Sequence, residues 1–104
     1  MTRLRLEIVR SPVEPPWREV VLEPPGEYII GRDPRTHVPV LDRYASRRHA
    51  RIYYKNGKWY IEDLGSRNGT LLGDKDIRGM GPVELPGEAE LVIGVTVIKV
   101  KAVE

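Results

Sequence analysis

Several features that mark other classes of protein are missing from this sequence. It contains no cysteine, which excludes disulfides, thiolate zinc sites and cysteine nucleophiles. Its longest nearly apolar run, residues 91–98, is far shorter than the ~20 residues that a membrane helix needs. The N-terminus has no apolar signal-peptide core, and Thr2 stands where myristoylation would need glycine. We therefore expect a cytoplasmic protein with no membrane partner.

Phenylalanine and glutamine are also absent, and only two asparagines occur. Few amides together with many prolines, arginines and glutamates fit a thermophile or a GC-rich genome. The 104 residues suffice for one domain with its own core, and a composition of 40% hydrophobic and 31% charged residues is typical of a soluble globular protein. No internal repeat, low-complexity run or linker divides the chain, so we expect a single domain over residues 1–104.

Positive charge is concentrated in one part of the chain, although the net charge is only +2. Residues 31–51 hold six arginines against two aspartates, a local excess of +4, and no lysine. The guanidinium group is a planar fork of donors that can hold an oxyanion in a bidentate way. This window therefore indicates binding to a discrete oxyanion rather than diffuse attraction to a polyanion.

Helix signals are almost absent from the sequence. Nine prolines and ten glycines interrupt the chain, and β-branched residues fill the intervals, which is typical of short strands joined by turns. In the first strand Leu4, Leu6 and Ile8 share one face. Strands are predicted at residues 3–10, 19–23, 27–31, 38–41, 48–54, 58–63, 70–72, 82–85, 90–93 and 95–103. This number and spacing of strands predict an all-β fold, either a β-sandwich or a barrel.

Two asparagine–glycine pairs predict tight turns. Asn56-Gly57 lies between two predicted strands and signals a two-residue hairpin, because both residue types tolerate positive φ. Asn68-Gly69 is predicted to be a second asparagine–glycine turn that leads into the strand at 70–72, and one simpler interpretation is that it only closes a hairpin. Such a turn leaves open whether Asn68 also presents its side chain to a ligand.

Three predicted loops combine arginine with glycine or with a small hydrogen-bonding residue. They are residues 31–37, 42–48 and 65–69. Charged forks, hydroxyl donors and turn amides are together the groups that bind a phosphate. Loops on a rigid β scaffold are also where binding residues usually lie. The three loops are therefore the candidate binding site.

The motifs in these loops resemble those of the forkhead-associated (FHA) domain. The matching pieces are Gly31-Arg32, the Ser-Arg-Arg-His of residues 46–49 and the Asp-Leu-Gly-Ser-Arg-Asn-Gly-Thr of residues 63–70, in that family's order and approximate spacing. The resemblance covers roughly residues 4–103 and is strongest over 28–70. It implies a β-sandwich of about eleven short strands, of the SMAD/FHA-like type, without cofactors or catalysis. It further implies a module that docks onto a protein phosphorylated on threonine by a Ser/Thr kinase.

The same resemblance implies roles for individual residues. Arg32 would pair with the phosphate, and Ser46 would donate its hydroxyl to it. Arg47 would add a contact from its backbone or side chain. Asn68 would hydrogen-bond the peptide backbone beside the phosphothreonine, and Arg67 would face the phosphate or the peptide residues that follow it.

Other positions support the site in that family. His49 would be a scaffold residue that bonds within the loops, and Gly31 and Gly69 would shape the turns. Arg43 and Tyr44 are placed to influence which residue is preferred beside the phosphothreonine.

The sequence departs from the family pattern in three places. The spacing around Gly87 and Gly94 differs slightly from the usual closing motif. Gly73-Asp74 stands where that family commonly has Asn-Gly, so the turn there is expected to differ. Arg67 stands where a small hydroxyl residue is frequent. One topological question also arises, because a plain antiparallel strand at 38–41 would carry the loops at its two ends to opposite ends of the sandwich.

Simpler structural roles and other functions compete with this interpretation. Arg32 could form a surface ion pair with Asp33 or Asp42, and Ser46 could cap a turn. One alternative function is docking of a partner protein without phosphate. The other is binding of a nucleic-acid backbone by the basic cluster of Arg43, Arg47, Arg48 and Arg51.

Enzymatic function is not indicated. Ser46, His49 and Asp63 are the residue types of a hydrolase triad, but the sequence has no Gly-x-Ser-x-Gly nucleophile elbow. It also has no P-loop, no His-Glu-x-x-His motif and no spacing of metal ligands. We therefore expect neither catalysis nor a metal site.

Overall fold

Eleven strands form the fold of residues 2–104, the part of the chain that the computed structural model describes. No helix occurs within those residues, and in particular none that is long and apolar enough to cross a membrane. The strands are β1 (Arg3–Arg10), β2 (Glu19–Leu22), β3 (Glu27–Gly31), β4 (Val38–Pro39), β5 (Ala50–Lys55), β6 (Lys58–Asp63), β7 (Thr70–Leu72), β8 (Lys75–Asp76), β9 (Val83–Glu84), β10 (Glu88–Ile93) and β11 (Thr96–Val103).

The strands form two sheets that pack face to face. The larger sheet has the order β2-β1-β11-β10-β7-β8, and the smaller sheet has the order β4-β3-β5-β6-β9. Alternating side chains of both sheets fill the space between them, as the period of two residues requires. Leu4, Leu6 and Ile8 of β1 are buried, and so are Ile52 of β5 and Ile61 of β6. The predicted all-β sandwich is therefore confirmed.

The local signals that set each hairpin are visible in the backbone. Asn56 and Gly57 have φ of 52° and 81°, and they connect β5 to β6 with Lys55 opposite Lys58, as predicted. Gly73-Asp74 makes an equally short connection from β7 to β8, with Leu72 opposite Lys75. Strand β8 was not predicted, because its two residues are exposed and charged and carry no apolar signal.

Asn68-Gly69 leads into β7, as predicted, but it does not close a hairpin. Strands β6 and β7 belong to different sheets, so residues 64–69 cross from one sheet to the other. Gly69 has a φ of +90°, but Asn68 is outside the left-handed region. The side chain of Asn68 instead reaches another loop, as described below.

The short strand β4 explains how the loops on either side of it meet. It pairs with β3 in parallel, with Ile30 opposite Val38 and Gly31 opposite Pro39. Strands β3 and β4 therefore run in the same direction, toward the same end of the sandwich. Residues 32–37 turn the chain back between them. The predicted strand at 38–41 ends at Pro39, which cannot donate to a sheet ladder. The loops before and after β4 consequently lie at the same end.

The antiparallel pairs bring the remaining loop to that end as well. The last residues of β3 pair with the start of β5, since Ile30 lies opposite Ala50. Ala50 in turn lies opposite Asp63 at the end of β6. Strand β5 begins at Ala50 rather than at residue 48, because the preceding residues belong to the loop.

Candidate functional site

Three loops converge at this end of the sandwich, and they are called the site loops below. The first is residues 32–37, the second is residues 40–49 and the third is residues 64–69. Arg32 donates from Nε to the Ala45 carbonyl at 3.0 Å, which joins the first loop to the second. The Arg67 amide donates to Ser46 Oγ at 3.2 Å, and Asn68 Nδ2 donates to the Tyr44 carbonyl at 2.8 Å, which join the third loop to the second.

The predicted binding residues are therefore brought together. Arg32, Ser46 and Asn68 stand on three different loops, yet each takes part in a hydrogen bond that crosses between loops. Arg47 and Arg67 are exposed neighbours of Ser46 and Asn68. These interlocking hydrogen bonds fix the relative positions of the loops.

His49 is the buried centre of this arrangement. Its side chain has no solvent exposure. Nδ1 accepts a hydrogen bond from the Ser46 amide at 3.0 Å, which requires that Nε2 carries the ring proton and donates it to the Gly69 carbonyl at 2.9 Å. Burial lowers the pKa of His49, against the opposing influence of the Gly69 carbonyl and of Asp63 and Asp42. The neutral ring therefore ties the second loop to the third.

Gly31 permits the close approach of the first and second loops. A Cβ atom at this position would collide with the Arg47 carbonyl. The same contact region contains backbone bonds from Arg32 to the Ser46 carbonyl at 2.9 Å and from Asp33 to the Arg47 carbonyl at 3.2 Å. Only glycine leaves room for these bonds.

Asp63 organises the third loop. One of its oxygens accepts bonds from the hydroxyls of Ser66 and Thr70, both at 2.6 Å. The other accepts from the amides of Gly65 and Ser66 at 3.0 and 2.9 Å. Burial raises the pKa of Asp63, but these hydrogen bonds outweigh it and hold the pKa below its ordinary value.

Asp42 anchors the second loop and was missed by sequence reasoning. Its carboxylate is buried and accepts bonds from the Tyr44 amide at 2.8 Å, the Val95 amide at 2.7 Å and the Thr96 hydroxyl at 2.8 Å. Val95 lies between β10 and β11 and Thr96 is the first residue of β11, more than 50 residues further along the chain. No local motif could have signalled this contact.

The site loops hold most of the arginines that have no carboxylate partner. Across residues 2–104, six arginines lie within 4.0 Å of a carboxylate oxygen, and they are Arg3, Arg5, Arg18, Arg35, Arg51 and Arg78. The remaining six are Arg10, Arg32, Arg43, Arg47, Arg48 and Arg67. Five of these six lie in the site loops. Arg32 pairs with neither Asp33, whose carboxylate bonds Arg35, nor Asp42.

Unused donors and acceptors face outward from the interlocked loops. The terminal nitrogens of Arg32 make no bond within the described residues, since only Nε is engaged. Ser46 Oγ accepts from the Arg67 amide and keeps its own proton for another acceptor. Asn68 uses one N–H and retains its carbonyl oxygen and second N–H. These groups are suited to a phosphate or another oxyanion and to an adjoining peptide backbone.

The rim of the site carries Arg43 and Tyr44. Tyr44 is 48% exposed, and the Arg43 guanidinium lies 5.4 Å from the centre of its ring. Arg43 is exposed as well. Both are therefore available to residues that flank a bound group.

A hydrolase triad is not assembled from Ser46, His49 and Asp63. His49 Nδ1 bonds the backbone amide of Ser46, and its Nε2 bonds a carbonyl, so neither nitrogen activates the Ser46 hydroxyl. Asp63 is engaged by Ser66 and Thr70 instead. Within the described residues no three His, Asp or Glu side chains are grouped to hold a metal ion.

The protein is a β-sandwich whose joined loops at one end carry arginines without carboxylate partners. This arrangement is typical of a module that binds an oxyanion. The sequence profile of the FHA domain matches residues 28–94. The chain therefore belongs to the forkhead-associated domain family, as its motifs predict. This is a family of protein-interaction modules rather than of enzymes.

Two proteins with similar sequences are FHA domain-containing proteins. The FHA domain-containing protein FhaB of Mycolicibacterium smegmatis is 41% identical over 73 residues, which are 70% of this chain and 46% of that protein. The FHA domain-containing protein At4g14490 of Arabidopsis thaliana is 35% identical over 91 residues, 86% of this chain and 22% of that protein. The match thus spans less than half the length of either relative.

Solved structures share the whole architecture. The FHA domain of a hypothetical protein of Arabidopsis thaliana superimposes with a TM-score of 0.87 at 31% identity, over 98% of this chain and 86% of that one. The FhaA FHA domain, solved in complex with the intracellular domain of Rv3910, gives a TM-score of 0.78 at 24% identity, over 94% and 99% of the two chains. The eleven-stranded sandwich is therefore that of FHA domains.

Proposed function

We propose that this domain binds a phosphothreonine peptide at the site loops. The observation that carries the proposal is the convergence of Arg32, Ser46 and Asn68, each with unused hydrogen-bonding groups, on loops that are already fixed to one another. Arg32 and Ser46 hold the phosphate, with Arg47 beside them. Asn68 holds the peptide backbone, and Arg67 faces the phosphate or the residues after it.

The energetics of such a site favour moderate affinity. A phosphate carries about −1.5 to −2 charges and three strong acceptor oxygens at neutral pH. Charge-assisted hydrogen bonds contribute ~1.5–3 kcal/mol each, so three or four give ~5–12 kcal/mol before the peptide is ordered. Because hydrogen bonds within the protein join the loops, little of this free energy is lost to ordering the protein. A dissociation constant near the micromolar range follows, equivalent to ~8 kcal/mol.

The proposed partner is a protein phosphorylated on threonine by a Ser/Thr kinase. Two of the related structures support this class of partner: one comes from a study of phosphothreonine-dependent FHA domain interactions, and another is the FhaA domain in complex with an intracellular domain. We expect the encounter to be cytoplasmic and to involve no reaction catalysed by this domain. Arg43 and Tyr44 at the rim contact residues beside the phosphothreonine.

Titration calorimetry with Arg32→Ala tests this function. The peptide is drawn from a phosphothreonine library, with phosphoserine and unmodified versions of the same sequence as controls. The variant should weaken phosphothreonine binding by ~2–4 kcal/mol, since it removes the main charge partner of the phosphate. Arg10→Ala is the matched variant, because Arg10 is also exposed and unpaired but lies at the end of β1, outside the site loops.

The other functions predict different results. A loss of less than about tenfold with Arg32→Ala, or equal binding of the unmodified peptide, would contradict phosphate recognition and favour phosphate-independent docking. Binding of DNA or RNA with a steep dependence on salt would favour the nucleic-acid alternative through the Arg43, Arg47, Arg48 and Arg51 cluster.

A further inference from the structure

Two open grooves adjoin each other on the first and second site loops. The groove that includes Arg32 and Arg47 belongs to the proposed phosphothreonine site. The second, called the Arg48 groove here, has no role in that site and is lined by Ile29, Asp33, Arg35, Thr36, His37 and Arg48. Asp33 and Arg35 line both grooves. Arg47 and Arg48 are consecutive, yet they line different grooves.

Donors dominate the polar lining of the Arg48 groove. Arg48 is exposed and lies near no carboxylate among residues 2–104. His37 accepts a hydrogen bond at Nδ1 from the Ile29 amide at 2.9 Å, so the neutral ring keeps its proton on Nε2 as a further donor. The Thr36 hydroxyl is engaged with the Asp33 carbonyl at 2.8 Å.

The one carboxylate in the groove is already satisfied. Asp33 accepts bonds from the amide, Nε and Nη2 of Arg35, at 2.9, 3.1 and 2.9 Å. This pair is neutral as a whole and lies between the two grooves. It therefore does not neutralise Arg48 or the arginines of the other groove.

The positive charge that lines the two grooves exceeds the negative charge of one phosphate. Arg32, Arg35, Arg47 and Arg48 stand against Asp33 alone, which leaves an excess of +3. A phosphate of about −1.5 to −2 charges offsets the two arginines of the first groove and leaves Arg48 uncompensated. The surplus charge of Arg48 lines a different groove from the one that Arg32 and Arg47 line.

We propose that the phosphothreonine ligand carries a second anionic group that binds in the Arg48 groove. This inference rests on the proposed function, because the phosphothreonine places the peptide. The recognising chemistry is a carboxylate or a second phosphate on the same peptide, held by Arg48 and by His37 Nε2. Because Arg47 and Arg48 are consecutive and line adjoining grooves, two anionic groups on one extended peptide can occupy the two grooves together.

A peptide series measures this directly by fluorescence anisotropy. Each peptide carries one phosphothreonine, and a second anion is moved through about four positions on either side, a reach of ~13 Å for an extended chain. Phosphoserine and glutamate are used separately at each position, which distinguishes a phosphate from a carboxylate. At one or two positions the second anion should tighten binding by about three- to tenfold.

Variants show whether the gain belongs to this groove. Arg48→Ala should remove the gain and leave the affinity for the singly phosphorylated peptide unchanged, while Arg10→Ala should affect neither. A gain that is equal at all positions, that survives Arg48→Ala, or that is lost equally in Arg10→Ala would overturn the inference. Absence of any gain would do the same. Failure of phosphothreonine recognition itself would appear separately, as equal binding of the unmodified peptide or as insensitivity to Arg32→Ala.

Discussion

The arginines on the strands and those in the site loops differ in their partners: three of the four on strands lie within 4.0 Å of a carboxylate oxygen in the described part of the chain, whereas only Arg35 of the six in the site loops does. On the smaller sheet Arg51 bonds Glu62 at 2.7 Å and Glu27 at 3.3 Å, and its guanidinium lies 4.5 Å from the Tyr53 ring centre. In the site loops, Arg32 and Arg47 have no carboxylate within reach among residues 2–104. Charge that is balanced within the protein stabilises strand pairing, whereas charge left unbalanced remains available to an external anion.

The two buried carboxylates at this end of the sandwich show the same contrast from the other side. Asp42 in the second site loop and Asp63 at the end of β6 accept hydrogen bonds from amides and hydroxyls, whereas the less buried Asp33 pairs with Arg35. The buried carboxylates therefore hold the backbone, and most of the arginines in the site loops are left without a carboxylate partner. The predictions below test how far these two uses are separate.

The largest effect on stability is expected from Asp42→Ala. The substitution leaves the amides of Tyr44 and Val95 and the Thr96 hydroxyl without their acceptor, and it should lower the free energy of unfolding by ~3–4 kcal/mol. Urea denaturation measures this loss. Asp74→Ala is the control, because Asp74 is exposed and makes no side-chain bond within the described part of the chain, and it should change stability by less than ~0.5 kcal/mol. Equal effects would show that Asp42 does not anchor the loop.

The next largest effect is expected from Gly31→Ala, which should lower the free energy of unfolding by ~1–3 kcal/mol. The new methyl group collides with the Arg47 carbonyl, so the first and second site loops must separate. The midpoint temperature of thermal unfolding and the affinity for a phosphothreonine peptide should both fall. Gly87→Ala introduces the same group where no atom lies within 4 Å, and it should be neutral. If Gly31→Ala binds phosphopeptide normally, the close contact is not needed to shape the site.

His49 should remain neutral well below the pH at which an ordinary histidine becomes protonated. Its pKa is lowered mainly by burial, so the unfolded chain takes up a proton near pH ~6.5 while the folded chain does not. The free energy of unfolding should therefore fall as the pH drops from ~6.5 toward the folded pKa, by at most ~1.4 kcal/mol per pH unit from this residue.

NMR titration of the two histidine rings checks this directly. The His49 ring should titrate with a midpoint below that of the same residue in the denatured chain. A midpoint at or above ~6.5 would contradict this account, since burial and the hydrogen bond that Nδ1 accepts from the Ser46 amide both favour the neutral ring.

The smallest effect is expected from Arg51→Ala on the sheet face. Half-buried surface ion pairs and a cation–π contact of this kind together contribute on the order of 1 kcal/mol. The free energy of unfolding should fall slightly, and the affinity for a phosphothreonine peptide should be unchanged. A loss of affinity close to that of Arg32→Ala would remove the distinction between paired and unpaired arginines.

Much of the fold followed from local patterns. The bounds of β1, β3, β6 and β7 agree with the predictions, because alternating apolar residues and turn signals act within a few residues. The two asparagine–glycine pairs show the limit of such signals. Asn56-Gly57 closes a hairpin, but Asn68-Gly69 stands where the chain changes sheets, and the dipeptide does not reveal which strands will be paired.

The site was predictable where its residues form motifs and not where distant segments meet. The residue types of the three loops indicated a phosphate site, and the resemblance to the FHA domain assigned Arg32, Ser46 and Asn68 to it. The structure brings these loops together. The parallel pairing of β4 that allows this has no sequence signal, because only two residues form it. The anchoring role of Asp42 was equally hidden, since its partners lie more than 50 residues away.

Amide chemical shifts of the labelled domain, titrated with a singly phosphorylated threonine peptide and with its unmodified form, test the central claim most directly. Shifts caused by the phosphate should be largest in the three site loops, at Arg32, Ser46, Arg47 and Asn68, and small at Arg51 on the sheet face. Phosphate-dependent shifts centred on a sheet face, or identical shifts with the unmodified peptide, would contradict it.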